Sequence, residues 1–171
     1  MKTPNTILRD DEVHGAFGVE YLQTRIEREF PLARHLKVLV DAAHDGAVVV
    51  RAPLTPNANH KGTAFGGSLF CVAVLTGWAW ATRYIEAHGL NADAVIQEST
   101  IRYLKPVNGE FRGVLKAPPP QHVDKFLKML SRSGRGRIRL HVEILDGQTL
   151  AALFDGVFVA ALRRGPAFQG E

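Results

Sequence analysis

Gly66-Gly67-Ser68-Leu69-Phe70-Cys71-Val72-Ala73-Val74-Leu75-Thr76-Gly77-Trp78-Ala79-Trp80-Ala81-Thr82, continuing through Arg83-Tyr84-Ile85-Glu86, is the stretch on which the fold turns. From Ala64 to Thr82 nineteen residues pass without a charge, close to the ~20 needed to cross a bilayer. The glycines at 66, 67 and 77 and the short strand-like segments on either side argue against a span. A helix apolar on nearly every side is then one buried all round within protein. At 1.5 Å per residue, roughly twenty residues make about 30 Å of helix, enough to cross several strands.

The flanking sequence supplies those strands. Asp45-Gly46, Asn108-Gly109 and Asp146-Gly147 are each flanked by apolar or β-branched residues, and such dipeptides accept the positive φ of two-residue hairpin turns. They predict three hairpins, 36–44 with 47–53, 94–105 with 110–117, and 137–145 with 148–162. In the last of these, Ile138, Leu140, Val142 and Ile144 alternate with Arg137, Arg139, His141 and Glu143, so one face of the sheet is wet and the sheet is antiparallel. Two amphipathic helices cover what remains: 18–30, with Leu22, Ile26 and Phe30 in register and a stop at Pro31, and a segment after Pro118-Pro119-Pro120 carrying Val123, Phe126, Leu127 and Leu130. The expected class is α+β, a curved antiparallel sheet of about six strands wrapped around a long central helix. Residues 1–30 read as an arm with a short helix, 31–162 as the domain, and 163–171 as a loose tail.

Composition excludes several functions. With 171 residues, 46% hydrophobic and 22% charged, the chain is one globular domain rather than a disordered or multidomain protein. The excess of 21 Lys+Arg over 17 Asp+Glu gives a net charge of +4, which suits an anionic ligand or simple solubility. The lone Cys71 makes no intrachain disulfide, and no Cys/His spacing suggests a metal. The polar amino terminus with Asp10, Asp11 and Glu12 lacks an export signal, so cytoplasmic residence is expected, with no membrane partner. The basic run Arg132-Ser133-Gly134-Arg135-Gly136-Arg137 passes into an alternating strand without interleaved aromatics, and nucleic acid is not an expected partner.

The chemistry points to the segment before the helix, Asn59-His60-Lys61-Gly62-Thr63-Ala64-Phe65-Gly66-Gly67-Ser68. The glycine pair lets a ligand approach the backbone, and the unpaired first amides of a helix carry about half a positive charge. Such donors stabilise an oxygen gaining negative charge, commonly by a few kcal/mol each.

The spacing Asn59-x-x-Gly62-x-x-Phe65-Gly66-Gly67 resembles the N-x-x-G-x-x-H-G-G signature of hotdog-fold acyl-CoA thioesterases, and Tyr103-Leu104-Lys105-Pro106 is similar to a motif that often ends a later strand in that fold. More narrowly, the chain resembles the thioesterase domain that some bacteria append to an N-acetyltransferase domain. The resemblance spans roughly residues 30–162. It implies hydrolysis of an acyl thioester carried by coenzyme A or an acyl-carrier protein, no cofactor other than the coenzyme A of the substrate, and a homodimer or dimer of dimers with sites between subunits. It also implies that Asn59 orients the water or the thioester and that Gly66 and Gly67 donate N–H groups to the thioester oxygen.

Two positions depart from the pattern. Phe65 replaces the histidine, and Val74 replaces the helix acid, so another group must take the proton from water. Glu98, on the strand leading to Leu104-Lys105-Pro106, and His60, an imidazole able to accept a proton, are the substitutes. Thr76 is a candidate to hold a water, and Phe65 to line the acyl site. Arg132, Arg135 and Arg137, with Lys105 beside them, suit the phosphates of the carrier group. Cys71 reads as a buried small residue rather than a nucleophile. The absent helix acid leaves a second reading, an acyl-binding module without turnover, and weighs against a hydratase, which needs a paired histidine and carboxylate there.

Overall fold

Apolar side chains on every side of residues 66–87 cannot all be shielded by one neighbour, so the helix must be enclosed by a surface that bends around it. A computed structural model describes residues 16–44 and 46–163, and the chain within it solves the problem this way. Six strands, β1 (Leu39–His44), β2 (Ala47–Ala52), β3 (Ala92–Tyr103), β4 (Phe111–Leu115), β5 (Arg135–Asp146) and β6 (Thr149–Leu162), form one sheet in the order β1-β2-β4-β5-β6-β3. Every neighbouring pair is antiparallel. Helices α1 (Val19–Glu29), α2 (Pro31–His35), α3 (Gly66–Ala87) and α4 (Pro120–Ser133) complete the chain, with a kinked turn at Leu54–Asn57. This is the hotdog arrangement: α3 lies on the inner face of the sheet and touches β2 through β6.

Val72, Ala73, Ala79, Trp80, Ala81 and Ile85 of α3 are wholly shielded. The indole of Trp80 donates to the carbonyl of Gly46 at 2.8 Å, which satisfies the one polar atom that its burial would otherwise orphan. Two glycines set how closely helix and sheet approach. A β-carbon on Gly113 of β4 would lie 2.5 Å from Thr76 Oγ1, and one on Gly77 would lie 2.4 Å from the ring of Phe158.

The outer hairpins form as the turn dipeptides predict, with Gly46 and Gly147 at φ of +72° and +58°; Asp45 of the first turn lies outside the described residues. The middle hairpin does not form. β3 pairs only with β6, while β4 pairs with β2 and β5, so β3 and β4 are never neighbours. Gly109 has no positive φ. The connection is instead pulled inward: Val107 is buried and its carbonyl accepts the Ala64 amide, and the Asn108 amide donates to Asp146. Tertiary anchoring has overridden a local turn preference. Pro31 ends α1 as expected but also opens α2, because proline fits the first position of a helix.

Of the amino-terminal arm only residues from Ala16 onward are described, and of the carboxy-terminal tail only Arg163, whose guanidinium holds Asp93. No helix among the described residues is long and apolar enough to cross a membrane.

Replacing Gly77 with alanine separates two effects of opposite sign. Helix propensity favours alanine by ~1 kcal/mol, whereas overfilling a packed core costs about 1–3 kcal/mol. The ring of Phe158 is itself buried and has little room to retreat. With the overfilling cost therefore at about 2–3 kcal/mol, Gly77→Ala is expected to lower unfolding free energy by about 1–2 kcal/mol net of the helix gain, read from the urea midpoint; an unchanged or higher midpoint would show the contact to be loose.

Candidate active site at the amino end of the buried helix

The loop before α3 is held by its own polar groups. Asn57 is buried; its Nδ2 donates to the carbonyls of Leu36 (2.9 Å) and Pro53 (2.8 Å), and its backbone carbonyl accepts the Phe65 amide at 2.7 Å. The helix start is thereby tied to the strand-side scaffold. Asn59 closes the next turn: Oδ1 accepts from the amides of Lys61 (2.8 Å) and Thr63 (3.3 Å), and Nδ2 donates to Thr63 Oγ1 (2.9 Å) and the Ala64 carbonyl (3.4 Å). Its side chain is spent on loop geometry. Gly62, at φ +77°, allows the reversal, and His60 sits exposed in it.

Phe65 is the N-cap of α3, with extended backbone and no side-chain cap. Its carbonyl accepts the amides of Ser68 (2.9 Å) and Leu69 (3.2 Å). The amides of Gly66 and Gly67 have no hydrogen-bond partner among the described residues. Two free donors thus stand at the positive end of a 22-residue helix. Aromatic rings flank them. The Tyr103 hydroxyl donates to the Gly66 carbonyl at 2.9 Å, and the Phe65 ring lies where a β-carbon on Gly67 would be. Both rings are more than half exposed, at 52% and 58%, so the donors are bordered rather than sealed.

The other candidates are distributed unevenly. Thr76 is fully buried, with its hydroxyl donating to the Val72 carbonyl at 2.7 Å under Gly113, away from the helix start. Glu98 is 67% exposed and bound by Arg139 at 3.4 Å, which also holds Asp155 at 2.5 Å; this network lies on the sheet face opposite α3. The one carboxylate on α3, Glu86, is taken by Arg25 and the Tyr21 hydroxyl. Lys105 is exposed, with its amide donating to Ala151 beside that of Leu104.

Arg132, Arg135 and Arg137 are exposed at the far end of the sheet. Tyr103 is in register with Ala152 and so with Ile144, whereas Arg135 is in register with Ala161. At about 3.3 Å per residue that separation along the strands is roughly 30 Å. Within one chain, then, the site unites Phe65, Gly66, Gly67 and the Asn59–His60 loop, but not Glu98, Thr76 or the arginines.

Sequence reasoning overlooked Asn57, whose burial leaves no periodic trace, and treated Tyr103 only as part of a motif. Its place at the end of a long strand was the available signal. Cys71, one turn along the half-exposed stripe of Gly67, Phe70 and Val74, has its thiol pushed up by burial, and the Tyr103 hydroxyl is pushed up by burial and by this neighbour.

An antiparallel sheet wrapped on one helix, with free amides at that helix's start, defines the class as hotdog-fold. Comparison with known proteins sharpens this: residues 19–162 match the family described as putative thioesterase (yiiD C-terminal), and the chain belongs to that family. Among solved structures it is similar to a protein of unknown function from Chlorobaculum tepidum, with TM-score 0.82, 24% identity, and coverage of 93% of this chain and 100% of that one. It is also similar to a putative thioesterase from Shewanella oneidensis, with TM-score 0.77, 27% identity and coverage of 90% and 99%. A thioesterase from Haemophilus influenzae shares the fold at TM-score 0.67 and 12% identity, over 84% of this chain and 90% of that one. Thioester hydrolysis is accordingly the reaction class of the family.

The raised thiol pKa has a direct readout. Because the thiolate is the reactive form, Cys71 is expected to react with iodoacetamide at pH 8 several-fold more slowly than free glutathione and to speed up toward pH 10, followed by mass spectrometry. Reaction as fast as the free thiol would show an activated cysteine.

Proposed function

We propose that the protein hydrolyses acyl thioesters of coenzyme A or an acyl-carrier protein in the cytoplasm, with the thioester oxygen bound by the amides of Gly66 and Gly67. Water adds to the carbonyl carbon, the oxygen takes up the negative charge, and collapse of the adduct expels the thiol and leaves a carboxylic acid. The observation carrying this reading is the pair of unpartnered amides at the start of the buried helix. Preorganised donors of this kind stabilise the adduct more than the ground state. Phe65 borders the acyl group and Asn59 shapes the loop. The proton falls to His60, exposed in that loop, or to a group from a second copy.

An open edge of the sheet supports a homodimer. β3 pairs on one side only, twelve residues long, and an unpaired edge of that length is a template for another strand. Val95, Tyr103 and Leu104 are exposed along or just beyond it, beside the half-exposed stripe of α3. A second copy added antiparallel across β3 reverses the sheet. Its Arg135 and Arg137 end then lies alongside the first copy's helix start, which supports phosphate contact by these arginines across the interface.

One observation favours a non-catalytic acyl-binding module instead: the carboxylates of Glu98 and Glu86 are engaged elsewhere, and Phe65 and Val74 occupy the positions of the usual histidine and acid. A panel of short, medium, long and aryl acyl-CoAs, assayed for free thiol, decides between them. Turnover of at least one member is expected, falling at least tenfold in Gly67→Val, whose side chain crowds the amides, with folding retained. Binding without thiol release from any member establishes the module. Light scattering is expected to give twice the mass of the chain, with activity per chain falling on dilution below the dimer's dissociation constant; a fully active single chain would remove the partner from the site.

A further inference from the structure

The sheet has two edges, and an edge strand presents a row of backbone amides and carbonyls with no neighbouring strand to bond. β3, at one end, is twelve residues long. β1, at the other end, is six residues long and is covered. Helix α1 packs against it, and the side chain of Gln23 reaches its backbone. The Val40 amide donates to Gln23 Oε1 at 2.7 Å, and Gln23 Nε2 donates to the Val38 carbonyl at 3.2 Å. A carboxamide has the donor and acceptor of a peptide group. Donating to one residue and accepting from the residue two further on is the pair of bonds that one residue of a parallel neighbouring strand makes. Gln23 thus stands in for a single residue of the strand that β1 lacks.

The carboxamide is held in that orientation. Gln23 Nε2 also donates to Glu27 Oε1 at 2.6 Å, one helical turn on, so both of its hydrogens and its oxygen are committed. Further along, the edge is blunted by a bulge at Asp41, where the register with β2 shifts between Val40 and Ala42. The strand beneath this cover is nevertheless suited to pairing with a copy of itself. Leu39 is 40% exposed on the outer face. Asp41 on the edge and Arg51 on β2 lie 3.1 Å apart on that same face, so an identical edge brings opposite charges together with an apolar side chain. A two-fold antiparallel pairing keeps the outer faces of both copies on one side, where these groups meet.

We infer that β1 is a second self-pairing edge, fitted to another copy of this chain, and that Gln23 keeps it closed. The inference goes beyond the thioester reading and stands independently of it. A molecule that pairs through β3 and also through β1 has two edges that each match themselves. Nothing ends such a row, and copies add without limit. Closing one edge leaves an assembly of defined size. Loss of the carboxamide frees the Val40 amide and the Val38 carbonyl for another strand. The cost to folding is small, because a hydrogen bond contributes only about 0.5–1.5 kcal/mol net; the larger consequence is in what the edge can join.

The test compares the full-length wild type with Gln23→Ala and with Gln23→Ala combined with Leu39→Lys, a charge of the kind that blocks edges. In light scattering over a wide range of concentration, the wild type is expected to hold one mass above its dissociation constant. Gln23→Ala is expected to exceed twice that mass and to keep growing with concentration, and the double variant to return to the wild-type mass. Hydrogen exchange on dilute samples reads the contact itself. The Val40 amide is expected to exchange at least tenfold faster in Gln23→Ala, while the amide of Val50, on a strand paired on both sides, keeps its rate; a fold merely loosened moves both. A Gln23→Ala mass equal to that of the wild type at every concentration overturns the proposal. So does growth that Leu39→Lys leaves undiminished, which places the new contact elsewhere, or an unchanged Val40 rate in the variant. A wild-type Val40 amide that exchanges as fast as an unprotected one also overturns it, and that result needs no variant to fold. A wild type that proves to be a single chain removes the β3 pairing alone, and Gln23→Ala is then expected to stop at two copies.

Discussion

An uncharged helix that is apolar around its circumference must be shielded around its circumference, and the rest of this structure follows from that demand. A flat sheet covers one side of α3. Curving six antiparallel strands covers more, with α1 closing part of the remainder through Leu22, Ile26 and Phe30, whose ring meets Trp78 edge-on at 4.8 Å. The approach is close because glycine faces bulk in both directions, Gly77 beneath Phe158 and Gly113 above Thr76. Burial on this scale contributes on the order of 25 cal/mol per Å² of apolar surface. Thr76, which the sequence suggests as a water ligand, is consumed by this packing.

The same enclosure produces the pair of free amides. A buried helix must begin somewhere, and its first amides cannot bond within it. In a surface helix water or a side-chain cap meets them. Here the N-cap is Phe65, which has no polar side chain to offer, and the two glycines that follow keep their amides unobstructed by β-carbons. The loop that delivers the chain to this point is rigidified by Asn57 and Asn59, each through several hydrogen bonds. Anchoring on both sides fixes the direction of the donors, which is what electrostatic stabilisation of a developing oxyanion requires.

The outer face of the sheet carries Glu98, Arg139, Asp155 and His141 as a network of mutual contacts. The cations of α4 and the start of β5 are left unpaired. Exposed ion pairs contribute little to stability, so the network mainly keeps the wet face soluble.

Legibility from sequence followed the range of the interactions. The helix at 66–86, the alternating strand at 135–146, the outer two hairpins and the glycine pair were readable because period, turn chemistry and helix-end geometry act over a few residues. The Asn108-Gly109 turn misled because burial of Val107 and pairing of β3 with β6, contacts distant in sequence, outweighed a local preference. Glu98 could not be assigned a face from the strand pattern alone, since the bulge between Ile96 and Glu98 shifts the alternation. Nor could Asn59 be seen to spend its side chain on its own loop. The sequence by itself determined which segments are buried and where a helix begins with unobstructed glycine amides. Only the tertiary structure decided which side chains reach that point, because facing and register depend on how the whole sheet closes around the helix.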